Sequence, residues 1–331
     1  MKTIIHIVRL GCRTFARTLL DLDSIHKDIQ YKVIVVSGGA GHLEDILKKY
    51  DVIARVKKWK NLDSILDKYK PDCVLFTSHV GKKILRIVTK KYFSKICYAH
   101  HGISSRWMFK QIDRVKSWAH CKLIGMDQLY YDVFKSLGRD VKKINGLAQI
   151  DWSLKINKQA STRANTLLIT TQKPSSQKKY KSTHILVECV VDFYKDKYEN
   201  ILITHKQGFE MGKLNLPKDV NVQFVASSCS SKDSPYHYFN AEAIVHINYG
   251  SLFVESLLSN RNVLLIDEEC YPLFKEHPNL KVVPSVKYLN EIDLKEPIPQ
   301  ESINDYLEDI LGSSEIVNFT EKFCEYVISE T

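Results

Sequence analysis

Short apolar runs recur along this chain, and stretches with helical spacing separate each from the next. Residues 3–8 (TIIHIV) lead through Gly11 into 12–20, whose apolar positions have a helical period. Residues 31–36 (YKVIVV) end at Ser37-Gly38-Gly39-Ala40-Gly41, and 43–50 then read as a helix. Residues 61–70 are amphipathic, Pro71 and Asp72 turn the chain into 73–77 (CVLFT), 82–92 read as a helix and 95–99 as a strand. The pattern repeats after Asp151-Trp152. Strands are predicted at 166–171 (TLLITT), 200–204, 220–225, 243–247 and 262–266, a polar loop at 174–182, and helices at 184–198, 253–258, 303–311 and 316–328. Continuous β-branched runs, rather than strict alternation, predict strands buried on both faces. That is the condition of a parallel sheet with helices on either side. The expected fold is α/β, in two doubly wound halves, 1–155 and 156–331.

Composition limits what such a chain can do. Of 331 residues, 44% are hydrophobic and 26% charged, an ordinary globular balance with length for two domains. No apolar run approaches the ~20 residues that a bilayer-spanning helix needs. The first run is interrupted by His6 and is too short for a secretory signal, so it reads as a buried strand. The eight cysteines show no CxxC pair and no metal spacing, and His120-Cys121 completes no ligand set. They read as reduced core thiols, and neither a metal nor another cofactor is expected. Charge is uneven: residues 1–150 hold 29 Lys and Arg against 13 Asp and Glu, a net +16, and the remainder is at −6. A basic half predicts an anionic partner, whether a phosphate-bearing substrate, an anionic membrane surface or nucleic acid; a solvated lysine-rich face is the alternative. Lys57-Lys58-Trp59-Lys60 has the composition of a membrane-interface or single-strand contact, and equally of a solvated loop.

A few short segments carry chemistry. CYAHHGISSRW (97–107) places His100 and His101 at the end of an apolar run, and open α/β sheets bind ligands outside their strand C-termini. A histidine there titrates near neutrality and can take a proton from a hydroxyl nucleophile. Gly102 permits close approach, and Ser104 and Ser105 can cap a helix. A strand-end histidine bonded to backbone is the plain alternative. His79 ends another strand of the first half; with His100 and Arg13, in the first strand–helix turn, it reads as lining an acceptor side. LITHK (202–206) ends a strand at His205. In NYGSLFVES (248–256), Gly250 and Ser251 open a helix with Glu255 one turn on, which suits nucleotide phosphates and ribose hydroxyls. An ordinary strand–turn–helix join would look the same. Asp267-Glu268-Glu269 reads as a solvated acidic loop, with cation binding the alternative. No GxGxxG follows the first strand, which argues against a single dinucleotide-binding dehydrogenase.

In order, HHG-S-S at 100–105, INGLAQID at 144–151, LITHK and NYGSLFVE resemble the motif series of the CDP-glycerol glycerophosphotransferase family, the teichoic-acid primases and polymerases. That family has an HG-T element, a G-x-P-R-x-D element, a strand ending in HP, and D-Y-S-S-x-x-x-D. The resemblance spans residues 75 to 275, and order and spacing carry it. Ile103 replaces Thr, Ala148-Gln149 replaces Pro-Arg, Lys206 replaces Pro, Asn248 replaces Asp, Gly250 replaces Ser, and Glu255 replaces the last Asp. The resemblance implies a glycosyltransferase-B architecture, two Rossmann-like domains facing a cleft. Domain 1–155 would take the acceptor and 156–331 the nucleotide donor. It implies His101 as the base on the acceptor hydroxyl, His205 as a contact to donor phosphates or leaving group, and Gly250, Ser251 and Glu255 as donor-binding residues. The implied reaction moves a polyol phosphate from a CDP-glycerol-like donor to a hydroxyl of a glycan, lipid-linked or phosphopolymer acceptor. No metal is required, and the setting is cytoplasmic or peripheral on the inner face of a membrane. Glu255 keeps open a nucleotide-sugar glycosyltransferase, and an epimerase of the same fold, which would need cleft carboxylates that the sequence does not assign, is the less expected third option. The +16 half keeps open a non-catalytic nucleotide or nucleic-acid binder, nucleic acid being the least expected partner.

Overall fold

The structure is a computed structural model. It describes residues 1–9, 19–20, 22–36, 44–56, 62–76, 95–99, 122–125, 127–144, 163–171, 177–205, 214–226, 240–259, 261–314 and 319–331, with single positions 88, 92 and 146. The chain divides into two compact units, Met1–Asp151 with Leu307–Thr331, and Trp152–Tyr306.

The first unit is built on seven parallel strands: β1 (Lys2–Arg9), β2 (Ile29–Val36), β3 (Asp51–Val56), β4 (Cys73–Phe76), β5 (Ile96–Ala99), β6 (Lys122–Gly125) and β7 (Val141–Lys143). Their order is β3-β2-β1-β4-β5-β6-β7. Helices α1 (Glu44–Leu47), α2 (Leu62–Tyr69) and α3 (Gln128–Ser136) connect them. Leu62, Leu66, Tyr130 and Phe134 share one core with Ile5, Ile7, Ile34, Val74 and Phe76. Ile4, His6 and Val8 alternate with Ile5 and Ile7 along β1 and are buried as well, so the sheet is covered on both faces. His6 is structural: its Nδ1 lies 2.6 Å from the Tyr31 hydroxyl. The runs predicted at 3–8, 31–36, 73–77 and 95–99 are β1, β2, β4 and β5. Strands β3, β6 and β7 are not foreseen. β3 is an edge strand with only Val56 buried, and β7 is a three-residue edge. Exposed edges do not need the apolar run that marks a central strand. The helix expected over 43–50 is the four-residue α1. The helices expected at 12–20 and 82–92 lie largely outside the described residues.

The second unit has six parallel strands, β8 (Arg163–Thr171), β9 (Asn200–His205), β10 (Val222–Ala226), β11 (Ala241–Ile247), β12 (Asn262–Ile266) and β13 (Val282–Val283), in the order β10-β9-β8-β11-β12-β13. Helix α4 (Gln177–Tyr194) packs Val187, Val190, Val191 and Tyr194 against Leu167, Ile169, Ile203 and Val245. It starts inside the predicted loop 174–182, because Gln and Lys are good helix formers although they leave no apolar period. On the opposite face Leu168, Leu202, Ala241 and Ile244 meet Leu252 of α5 (Ser251–Leu257). Two helices close the chain, α6 (Gln300–Leu311) and α7 (Phe319–Ser329). The sequence pattern assigns both to the second half, but the contacts of α7 lie in the first unit. Glu330 pairs with Lys122, and the Lys142 ammonium lies 5.8 Å from the Tyr326 ring centroid. An amphipathic pattern shows that a face is buried, not against what. Among the described residues the cysteines at 73, 97, 189, 270 and 324 are free thiols, and no helix is long and apolar enough to cross a membrane.

Candidate functional site

In the second unit the strand order reverses between β8 and β11, and β11 runs straight into the turn that carries Gly250. Asn248 has φ 73°, a left-handed conformation that asparagine enters more readily than most residues. Its N–H donates to the Ile266 carbonyl at 3.0 Å. The Tyr249 N–H donates to Asp267 Oδ2 at 2.6 Å, and the Cys270 N–H to Asp267 Oδ1 at 2.8 Å. One carboxylate thus ties the turn after β11 to the loop after β12 through Oδ2 and braces its own loop through Oδ1. Glu268 and Glu269 are exposed, as a solvated acidic loop should be, but Asp267 is buried. Its role is to organise backbone. A charge run does not reveal this, because one of the amides it holds, that of Tyr249, comes from another strand's end.

Gly250 is the N-cap of α5 with φ −172° and no side-chain cap, an extended conformation open to any residue. Helix α5 has seven residues. Its N-terminal partial charge rests on two turns and does not by itself make an anion site. Glu255, the fifth residue of the helix, is a carboxylate only 8% exposed. Aromatic rings fix the helix. Phe253 is fully buried, edge-on to Phe274 and Tyr306 at 5.6 and 6.1 Å between centroids, and Phe274 stacks on Tyr306 at 5.4 Å. The Tyr249 and Tyr306 hydroxyls are hydrogen-bonded at 2.8 Å.

Of the residues singled out from sequence, Gly250, Ser251 and Glu255 come together on this turn and helix. His205 ends β9, in register with Ala226, and β9 flanks β8 on the side away from β11. The ends of β9 and β11 therefore sit on one edge of the sheet. The side chains of His205 and Ser251 are outside the described part, and His79, His100, His101, Arg13 and the basic run 57–60 lie outside the described residues. Among the described residues no three His, Cys, Asp or Glu side chains come together to hold a metal ion. Sequence reasoning passes over His246. The available signal is a polar ring inside AEAIVHI, a run otherwise built for burial, where a polar group needs partners.

No family model matches the chain, and no curated protein matches it. Solved structures do. The UDP-GlcNAc 2-epimerase from Neisseria meningitidis bound to UDP-GlcNAc aligns over 99% of this chain and 100% of its own, at 15% identity and a TM-score of 0.71. The MnaA–UDP co-structure from S. aureus aligns over 100% and 98%, at 12% identity and 0.68. MurG from Acinetobacter baumannii aligns over 99% and 99%, at 10% identity and 0.52. At such identities the likeness is one of fold: two Rossmann-like parallel-sheet units of the glycosyltransferase-B type.

Proposed function

We propose that the protein is an enzyme that uses a nucleotide-activated donor. It holds the nucleoside diphosphate in the second unit beside β11 and α5 and moves a glycosyl group to an acceptor hydroxyl. Glu255 carries this reading. It is a buried carboxylate on the helix that follows β11, beside the strand-order reversal where sheets of this kind bind ligands. An ionised carboxylate only accepts hydrogen bonds, which matches the two donor hydroxyls of a ribose. UDP and UDP-GlcNAc in solved structures of the same fold support a pyrimidine nucleotide. In this reading the backbone at Gly250 and Ser251 approaches the phosphates and His205 contacts them. His101 takes the proton of the acceptor hydroxyl, while His79, His100 and Arg13 line the acceptor side. The bond from anomeric carbon to diphosphate oxygen breaks. The leaving diphosphate gains negative charge, which N–H donors and a histidinium stabilise without a metal. A glycan or anionic lipid-linked acceptor, the latter at a membrane surface, suits the basic charge of the first unit.

The order of the four motifs favours a second reading, transfer of a polyol phosphate. There the acceptor oxygen attacks phosphorus, and a nucleoside monophosphate leaves. The products separate the readings. Wild type and Glu255→Ala would be melted with UDP, CDP, GDP, ADP and CMP, then incubated with UDP- and CDP-linked donors and a glycan acceptor. A bound nucleotide at a hundredfold excess over Kd stabilises by about 2.7 kcal/mol. The expected result is a selective rise with one diphosphate, lost in Glu255→Ala, and release of that diphosphate on transfer. Release of CMP selects the second reading. Conversion of the donor sugar without acceptor consumption would overturn transfer, and no shift with any nucleotide would overturn the site.

A further inference from the structure

On the face of β8 and β11 that meets α5, three buried side chains form one polar chain. Thr170 and His246 are register partners on adjacent strands. Thr170 Oγ1 lies 2.6 Å from His246 Nδ1, His246 Nε2 lies 2.8 Å from Ser256 Oγ, and Ser256 Oγ lies 2.7 Å from the Leu252 carbonyl oxygen. The three residues are 4%, 2% and 2% exposed. Proton direction follows from donor counting. The Leu252 carbonyl only accepts, so the single Ser256 O–H donates to it, and Ser256 Oγ accepts from His246 Nε2–H. Burial lowers the His246 pKa to about 3, so the ring is neutral. Its Nδ1 is then unprotonated and accepts the Thr170 O–H. Every donor in the chain is used once.

We propose that His246 is a positioning residue: through Thr170 and Ser256 it fixes the rotation and height of α5 on the sheet, and with them the place of Glu255, the residue next to Ser256. This rests on the reading of Glu255 as a nucleotide contact. A seven-residue helix is marginal alone. The apolar contacts of Leu252 with its sheet neighbours are non-directional and tolerate rotation. A buried hydrogen-bond chain does not, because a turn of the helix would leave polar groups unpaired in a dry interior. His246 touches the far side of the helix, edge-on to Phe253 at 5.8 Å, and acts through α5 rather than on a ligand.

The test compares wild type with Ser256→Ala, Thr170→Val, their double variant, Ser256→Thr and His246→Phe. UDP and CDP dissociation constants and amide hydrogen exchange at 251–257 are measured well below the melting temperature. Ser256→Ala and Thr170→Val are each expected to weaken nucleotide binding and to speed α5 exchange by about tenfold, while β8 and β11 amides stay protected. The double variant is expected to match either single, and Ser256→Thr, which keeps the hydroxyl, to restore both readouts. Binding and α5 exchange within about twofold of wild type in both single variants would overturn the proposal. If wild type binds neither nucleotide, the donor-site reading fails on its own, and exchange decides positioning: selective loss of α5 protection upholds it and unchanged protection overturns it. If His246→Phe does not fold, the flanking variants still decide.

Discussion

At Asp267 one carboxylate accepts from the Tyr249 amide, in the turn that leads into α5, and from the Cys270 amide of its own loop. Asp267→Ala strands both donors, and the expected cost is about 2–4 kcal/mol, read as a lower urea midpoint. Asp267→Asn, which keeps one acceptor, should cost less than half of that. A midpoint within error of wild type in both variants would remove Asp267 from the turn's support. The two buried histidines make a different prediction. Burial lowers the pKa of His6 and of His246 from 6.5 to about 3. Between those values the unfolded chain binds protons that the folded chain refuses, so stability falls as pH is lowered, while above pH 6.5 the contribution is complete. Going from about pH 7 to about pH 4.5, each ring should cost roughly 2–3 kcal/mol. Urea unfolding at the two pH values should show a shallower loss for His246→Gln than for wild type; an equal loss would contradict it. These residues also show where sequence reading stops. Gly250, Ser251 and Glu255 are legible because they are contiguous. Asp267 lies 18 residues from Tyr249, and Thr170 lies 76 from His246. Nothing local announces pairs brought together only by strand order.

Helix α5 is the element that carries the proposed nucleotide contact Glu255, and Phe253 is its fully buried aromatic anchor. That ring is fully buried among His246, Tyr249, Phe274 and Tyr306. Phe253→Ala is expected to cost about 3–5 kcal/mol, through lost transfer energy and the cavity left behind. Phe253→Leu, nearer in volume, should cost less than about 1.5 kcal/mol. Equal losses in chemical denaturation would mean that the aromatic layer repacks freely. A contrast between centre and edge accounts for part of what was legible, although the central β6 was missed and the edge strand β10 was foreseen. β1, β2, β4, β8, β9, β11 and β12 have neighbours on both sides and mostly buried side chains, so burial demands a continuous apolar run. β3, with the sequence DVIARV, and β7, with VKK, need none, because an edge open to water tolerates charge.

Charge counted along the chain gives +16 against −6, but counted by folded unit the balance changes. Residues 307–331 carry six acidic side chains and one basic, and they belong to the first unit. That unit then holds 30 Lys and Arg against 20 Asp and Glu, and the second holds 18 against 18, so the net +10 is all the first unit's. The segment that tempers this charge also closes the unit's core. Phe319, Phe323, Cys324 and Val327 of α7 are buried. The Lys122–Glu330 pair beside them is 38% and 23% exposed, and such pairs contribute at most about 1 kcal/mol. Burial of a large apolar side chain contributes about 1.5–3 kcal/mol. Packing therefore outweighs the ion pair, and loss of the helix would remove an amount on the order of a whole domain's stability. Glu330→Gln should shift the urea midpoint little. Deletion of residues 313–331 should abolish amide protection in β1, β2 and β4 under conditions where β8, β9 and β11 keep it. Loss of protection in both units together would mean that they unfold as one cooperative body. Protection retained in β1 would mean that the first sheet is stable without the helix, leaving charge as the only consequence of its return to that unit.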